Sequence, residues 1–170
     1  MKNGFFSVPR PVNEPVLEYK KNSPERKEVL ETYTTLYNST IDVPLYIGSK
    51  KIVTKERVKM APPHDHKHTL GSFSMAEASH VTLAIDAALA ASPDWDNTSF
   101  EHRAAVFLKA ADLIAGPYRA RINAATMLAQ SKNIFQAEID AACEFADFLR
   151  FNVAFASDIY AQQPIQGDGV

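Results

Sequence analysis

The hydrophobic and polar positions of residues 133–160 recur with the period of an amphipathic helix. No proline or glycine interrupts this stretch, and at about 100° per residue its apolar side chains gather on one side. That side comprises Ile134, Ala137, Ala141, Phe145, Phe148, Phe155 and Ile159. The opposite side carries Gln136, Cys143, Asp147, Arg150 and Ser157. With Asn133 and Gln136 as a capping box, the pattern predicts one long helix with an aromatic stripe.

Residues 23–75 are predicted to hold one helix followed by short strands. Ser23 and Pro24 suit an N-cap and a first helical position, and the helix should run to about Tyr37. Three β-type runs follow, VPLYIG, KIVTKERVKM and TLGSFSM. Gly48-Ser49 suits a hairpin turn between the first two. We therefore expect a small antiparallel unit at residues 43–75.

Helices are predicted again between residues 76 and 160. The sequences SMAE (74–77) and TSFE (98–101) have the residue types of capping boxes and should open two helices. Ser92-Pro93 should end the first, Gly116-Pro117 should end the second, and Pro117 should begin a third. Val81, Ile85, Ala88 and Leu89 should share one face of the first helix. Phe107, Ala111 and Ile114 should point inward from the second, and Ile122, Ala125 and Ala129 should line up on the third.

These elements divide the chain into four stretches. An arm and first helix occupy residues 1–42, the β unit 43–75, the helical layer 76–160, and the start of a truncated edge strand 161–170. Alanine-rich helices need a sheet to pack against, and this sequence supplies too few strands to build one. We therefore expect a mostly α-helical chain that is incomplete as a fold.

Charge and cysteine content narrow the class of protein. The net charge is −2, so no basic field exists to hold nucleic acid. No run of about 18 apolar residues is present to span a bilayer. Cys143 is the only cysteine, which excludes an intrachain disulfide and favours a reducing compartment. We expect a cytoplasmic protein with neither nucleic-acid nor membrane partners.

Glu144 is the one charged residue on the shoulder of the aromatic stripe. Phe148 lies four residues ahead of it and Ala141 three residues behind. Burial of an unpaired carboxylate is expensive, so Glu144 should reach solvent, pair with a lysine or arginine, or face a polar ligand. Spacing alone favours solvent or a pairing cation.

Three histidines and the cysteine are considered as a metal site and as a nucleophile, respectively. His64, His66 and His68 alternate, so in a strand they could face a metal together. No fourth ligand stands at a recognisable spacing, and Pro62, Pro63 and Asp65 favour a solvated turn. Cys143 has the acidic neighbours Asp140 and Glu144, which raise a thiol pKa. The residues alone therefore predict no catalytic, cofactor-binding or metal site.

Three segments carry a resemblance to a known family. They are NEPVLEYKKNSPER (13–26), the run from AIDAALAASPDW to FLRFN (84–152), and QQPI (162–165). In this order they resemble the N-terminal portion of the Δ1-pyrroline-5-carboxylate dehydrogenases, or glutamate-γ-semialdehyde dehydrogenases, a branch of the aldehyde dehydrogenase superfamily. NEPV with SPER, and QAEIDAA with FLRFN, point to this branch. The resemblance implies an α/β fold of the aldehyde dehydrogenase type.

The resemblance also implies a function. Enzymes of this family oxidise glutamate semialdehyde to glutamate with NAD in proline degradation, through a cysteine thiolate, hydride transfer and a glutamate-activated water. In the family those parts lie beyond the residues matched here, and Cys143 does not match the nucleophile motif. The chain alone should thus be inactive and bind no NAD. Its implied partners are the remainder of the enzyme chain and further copies in a homo-oligomer.

Glu144 acquires a role only through the resemblance. Within IDAACEF, it matches the family's glutamate that lines the substrate tunnel near the amino-acid end of the substrate. A carboxylate there can select for an ammonium group. The resemblance therefore implies that Glu144 is a substrate-binding residue.

Three hypotheses remain open from the sequence. A segment of a dehydrogenase should leave an apolar helix face exposed. A non-catalytic helical interaction or dimerisation module should bury its aromatic stripe and unfold cooperatively by itself. A metal protein built on His64, His66 and His68 should bind zinc or nickel stoichiometrically.

Overall fold

The computed structural model of the chain describes residues 6–164 and 167. Its α-helices are α1 (Pro24–Tyr37), α2 (Ala78–Asn97), α3 (Phe100–Ala115), α4 (Arg119–Gln130), α5 (Ile134–Ala137) and α6 (Glu144–Ala161). A π-helical segment, Glu138–Cys143, joins α5 to α6. The strands are β1 (Ile41–Val43), β2 (Leu45–Ile47), β3 (Lys50–Ile52), β4 (Arg57–Met60) and β5 (Gly71–Ser74). The expected mostly helical chain with a small β unit is confirmed. No helix in the described part is both long and apolar enough to cross a membrane.

Helix α1 begins and ends where the sequence predicts. Ser23 accepts a hydrogen bond on Oγ from the backbone N–H of Arg26 at 3.4 Å, and Pro24 is the first helical residue. Proline suits this position because the first N–H groups of a helix have no intrahelical acceptor. Asn38 then closes the helix with its own N–H bonded to the carbonyl of Thr34.

The β unit forms two small sheets rather than one antiparallel unit. Strands β2 and β3 pair antiparallel, with Ile47 opposite Lys50, so the predicted turn at Gly48-Ser49 is confirmed. Strands β4 and β5 are also antiparallel.

Strand β1 was not predicted, and it pairs parallel to β5. A three-residue strand before Pro44 gives little periodicity, and a parallel partner 30 residues away leaves no hairpin signal. Gly71 permits the pairing, because its φ is 136° and a Cβ there would lie 1.8 Å from the carbonyl oxygen of Ile41.

Helix α2 differs from its prediction at both ends. Its capping box joins Glu77 to His80 rather than Ser74 to Glu77, since Ser74 lies in β5 and accepts from the N–H of Thr54 at 3.3 Å. The helix also continues through Pro93 to Asn97. A proline removes one helical bond, but the Asn97 side chain closes the last turn by donating to the Pro93 carbonyl at 2.8 Å.

Helices α3 and α4 begin one or two residues later than predicted. Ser99, not Thr98, accepts from the N–H of His102 at 3.4 Å, because the Thr98 hydroxyl donates to the carbonyl of Asp94. Helix α3 stops at Gly116 as expected. Pro117 lies in the connecting turn, and α4 starts at Arg119.

Two apolar clusters form the core. Tyr19, Val29 and Ala124 bring α1 against α4, and Ala111, Ile114 and Ala146 bring α3 against α6. The buried positions of Ala111 and Ile114 confirm that part of the inward prediction. Phe107 is 42% exposed, so its expected inward position is wrong. On α4, Ile122 packs partly buried against the second cluster, whereas Ala125 and Ala129 are exposed. Helix α2 buries none of its residues, and α4 buries Arg119, Asn123, Ala124 and Leu128.

The long helix is neither regular nor buried on its aromatic side. A π turn holds about one residue more than an α turn. A helical wheel drawn at about 100° per residue therefore assigns residues beyond the Glu138–Cys143 segment to the wrong side of the helix. The exposed side chains are Phe145 (49%), Phe148 (58%), Phe155 (54%) and Ile159 (69%). The buried ones are Ala137, Glu138, Ala142, Cys143, Ala146 and Val153. This helix therefore packs through a side that includes Cys143, which was predicted to lie on the polar side.

Half of the expected edge strand at residues 161–170 lies outside the described residues. Helix α6 ends at Ala161, and residues 162–164 are not in a strand. Residues 165, 166 and 168–170 are not described.

Candidate functional site

A groove of about 600 Å³ separates the segment before α1 from the π segment and α6. The walls are formed on one side by Asn13, Glu14 and Val16, and on the other by residues from Ile139 to Phe155. We call the segment of residues 11–20 the arm. The groove is open and largely apolar, with several carboxylates among its lining residues.

Glu144 stands on a ridge beside this groove. Its side chain is exposed, and it also lines a second depression that contains Lys132 and Asp140. Lys132, the cation of that depression, is already bonded to Asp140 at 2.6 Å. Among the described residues no side chain pairs with the Glu144 carboxylate. Of the two alternatives that spacing alone favours, solvent and a pairing cation, this part of the chain shows exposure to solvent.

The arm is held against the helices by charged contacts. The Glu14 carboxylate accepts from Arg119 Nη1 and from Arg150 Nη1, each at 2.6 Å. The backbone N–H of Glu14 and the side chain of Asn13 donate to the Asp147 carboxylate at 2.7 and 2.8 Å. The groove wall opposite α6 is thus fixed by Glu14 and Asp147.

Glu138 is the buried centre of this network. It is 0% exposed, and its carboxylate accepts from the N–H of Leu17, the hydroxyl of Tyr19 and the amide of Asn123, each at 2.8 Å. Arg119 donates to both carboxylate oxygens from Nε at 3.2 Å and makes a further contact through Nη2. Burial alone would raise the pKa of Glu138, but these donors stabilise the ionised form and hold the pKa below its ordinary value.

Arg119 is the matching cation. Burial acts to lower its pKa, yet the bonds to Glu138 and Glu14 outweigh burial and raise it. The guanidinium also donates to the carbonyl of Pro15 at 2.6 Å. One buried residue therefore joins α4, the π segment and the arm.

Cys143 lies inside the same network and is unsuited to nucleophilic attack. Its Sγ receives a contact from Arg119 Nη2 at 3.3 Å. Burial, followed by the charge of Glu138, raises the pKa of the thiol to about 11. The predicted direction is confirmed, but the causes are burial and Glu138 rather than Asp140 and Glu144.

Sequence reasoning missed Glu138 and Arg119. In the sequence Glu138 looks like an ordinary solvent-exposed glutamate. Its neighbours Ala137, Ala142 and Cys143, however, are small and buried. A charged residue among small side chains at helical spacing could have indicated a buried charge, because small side chains allow neighbouring segments to approach the helix closely.

The three histidines do not converge. His64 contacts the Tyr33 hydroxyl through Nε2 at 3.2 Å and the Ser131 hydroxyl through Nδ1 at 2.7 Å. His68 stacks on Tyr37 with ring centroids 3.8 Å apart. The turn is thus docked on α1 and α4 rather than simply solvated. In the part of the chain that is described, no group of three or more His, Cys, Asp or Glu is placed to hold a metal.

Comparison with known sequences gives consistent matches. Residues 51–169 match the model of the Aldehyde dehydrogenase family. The mitochondrial Delta-1-pyrroline-5-carboxylate dehydrogenase of Dictyostelium discoideum is 45% identical over 158 residues, which cover 93% of this chain and 28% of that protein. The human mitochondrial protein of the same name is 42% identical over 153 residues, or 90% of this chain and 27% of that protein. The chain therefore spans a little over a quarter of these relatives.

Solved structures agree with the sequence matches. The Delta-pyrroline-5-carboxylate dehydrogenase of Mycobacterium tuberculosis bound with NAD superposes with a TM-score of 0.93 at 48% identity, covering 98% of this chain and 31% of that one. A mutant of 1-pyrroline-5-carboxylate dehydrogenase from Thermus thermophilus gives a TM-score of 0.83 at 25% identity, covering 99% and 32%. The fold of this chain is thus shared with part of each of these chains.

Proposed function

We propose, on the premise that this chain belongs to the aldehyde dehydrogenase family, that it is a segment of an NAD-dependent enzyme oxidising L-glutamate γ-semialdehyde to L-glutamate in proline degradation. The observation that carries the proposal is the 45% identity to the Dictyostelium discoideum dehydrogenase across 93% of this chain. The close superposition on the Mycobacterium tuberculosis enzyme, which was solved with NAD, supports it. The 170 residues would supply a helical wall of that enzyme.

The residues described here do not fit NAD. A dinucleotide site of the usual kind needs a glycine-rich turn between a strand and a helix N-terminus. The connection from β5 to α2 is Met75-Ala76-Glu77, without glycine. We therefore assign the cofactor, the nucleophilic cysteine and the catalytic glutamate to the part of the enzyme outside these residues, and derive no chemical step from this chain.

In this proposal Glu144 binds the amino-acid end of the substrate. Its exposed carboxylate has no cation among the described residues and stands at a groove lined by Phe148 and Phe151. A carboxylate in an apolar groove attracts an ammonium group and disfavours a substrate that lacks one. A simple aliphatic aldehyde offers no such group, so Glu144 would contribute selectivity.

The exposed aromatic side of α6 is proposed to be covered in the complete enzyme. Phe145, Phe148 and Phe155 are each about half exposed, and a contiguous apolar patch of this kind marks an interaction surface. We propose the remainder of the enzyme chain as the main occupant, with homo-oligomer contacts beyond it. The second candidate, a non-catalytic dimerisation module, requires a partner copy to bury these same side chains. Relatives named as mitochondrial proteins leave the cytoplasmic location a prediction.

The function is tested by following NADH formation. The 170-residue chain, supplied with NAD and glutamate semialdehyde, is expected to give no turnover, whereas the complete gene product containing these residues should reduce NAD. Far-UV circular dichroism of the short chain serves as the control, because a helical spectrum separates inactivity from misfolding.

Two outcomes would overturn the proposal. Turnover by the 170-residue chain alone would place the catalytic residues within it. A gene product that ends at Val170, forms a stable dimer in sedimentation and unfolds cooperatively would favour the dimerisation module.

A further inference from the structure

We propose that Glu138 is a positioning residue for Glu144: its buried hydrogen bonds hold the π segment in place, and the π segment directs the Glu144 carboxylate into the groove. The inference rests on the proposed function, because it takes Glu144 as the substrate-facing group. Glu138 thus influences the selectivity of the site through Glu144, without contacting the substrate itself.

The first observation is the position of the π segment. Its six residues begin at Glu138 and end at Cys143, so Glu144 is the first residue after it. A π turn is rare, and its bonds are less favourable than those of an α-helix. It persists only where the surroundings hold it.

The second observation is what holds its first residue. Two separate parts of the chain converge on the buried Glu138 carboxylate: the arm through Leu17 and Tyr19, and α4 through Arg119 and Asn123. A side chain fixed from several directions cannot rotate about the helix axis. The N-terminal end of the π segment is therefore fixed in rotation.

The third observation is a second fixed point just beyond Glu144. Asp147, three residues on, accepts from Asn13 and from the N–H of Glu14. Glu144 thus lies between two positions that are bonded to the arm, and the arm is also the opposite wall of the groove. The direction of Glu144 and the shape of the groove depend on the same contacts.

The consequence of losing Glu138 follows from helix geometry. If the π segment relaxes to an α-helix, the residues between Glu138 and the second fixed point at Asp147 turn by up to roughly 100°, one residue's rotation. The Glu144 carboxylate then points away from the groove. Only a substrate recognised by that carboxylate should be affected.

The test is a double-mutant cycle in the complete enzyme. The variants are Glu138→Gln, Glu144→Ala and their combination, with Glu28→Gln as the control because Glu28 is exposed on α1. The readout is the ratio of kcat/KM for glutamate semialdehyde to kcat/KM for a simple aliphatic aldehyde. Glu138→Gln should lower this ratio about fivefold through KM, and should lower it no further once Glu144 is already alanine.

Tyr19→Phe gives a milder version of the same test. It removes one hydroxyl donor at 2.8 Å from Glu138 and keeps the ring that packs in the core. It should lower the ratio about twofold. If Glu138→Gln does not yield soluble enzyme, the ratio measured for Tyr19→Phe tests the positioning role of Glu138 instead.

The outcomes separate the two proposals. If Glu144→Ala leaves the ratio unchanged, the role of Glu144 is wrong and positioning by Glu138 is wrong with it. If Glu144→Ala lowers the ratio but the Glu138 and Tyr19 variants do not, only positioning is overturned. An equal loss on both substrates, or an effect that persists without Glu144, shows that Glu138 supports the fold alone.

Discussion

Replacing Arg119 with alanine is expected to lower the free energy of unfolding by about 3–5 kcal/mol, because the change leaves a buried carboxylate without its cation. Glu138 is fully buried, and Arg119 is 8% exposed. The loss also removes the contacts that tie the arm to α4 through Glu14 and Pro15. Urea unfolding of the complete enzyme, followed by circular dichroism, measures the change.

Arg121→Ala is the matched control for this prediction. Arg121 lies on the same helix two residues away and is exposed, so its loss should change the free energy of unfolding by no more than about 0.5 kcal/mol. Adding Glu138→Gln to Arg119→Ala should restore part of the lost stability, since no unpaired charge then remains at position 138. Equal unfolding midpoints for the Arg119 and Arg121 variants would show that the buried pair does not hold the chain together.

Replacing Glu144 with alanine in the complete enzyme is expected to reduce selectivity for the amino-acid substrate by about 10–100-fold. A hydrogen bond to a charged group contributes about 1.5–3 kcal/mol, and each 1.4 kcal/mol is about tenfold. The effect should fall on kcat/KM for glutamate semialdehyde and spare a simple aliphatic aldehyde of similar length. Steady-state kinetics on both substrates measure it.

Glu144→Gln separates charge from shape. The amide keeps the size and one acceptor oxygen but loses the negative charge, so its selectivity should lie between those of the natural protein and Glu144→Ala. An equal loss of kcat/KM on both aldehydes would mean that Glu144 supports the shape of the groove and does not recognise the ammonium group of the substrate.

Local patterns account for the elements that the sequence predicted well. Ser23-Pro24 places the start of α1 because both residues act within one turn. Gly48-Ser49 and Gly116 likewise work through their own backbone geometry. Where a signal and its effect lie within a few residues, the sequence was sufficient.

The errors share one physical cause, which is dependence on distant residues. Strand β1 exists because β5 runs beside it. The π segment exists in contact with Leu17 and Arg119, which lie about 120 and 20 residues away in sequence. A periodicity wheel cannot register such contacts, so it did not single out Glu138 as a buried residue.

The candidate site was predictable in part. Glu144 stands out in the sequence as a charge on the shoulder of the aromatic stripe, and it lines the groove in the structure. Its role as a substrate ligand came from the family resemblance and stays a prediction. The placement of the arm as the facing wall could not be predicted, because residues 11–20 have no regular structure and are held by the contacts of Glu14 and Leu17 with the helices.

The most direct measurement is a crystal structure of the complete enzyme with its product, L-glutamate, bound. We predict that the ammonium group of the product lies about 3 Å from the Glu144 carboxylate, with the aromatic side of α6 covered by the rest of the polypeptide. A Glu144 carboxylate paired with a lysine or arginine, and a product ammonium group bound elsewhere, would contradict the account.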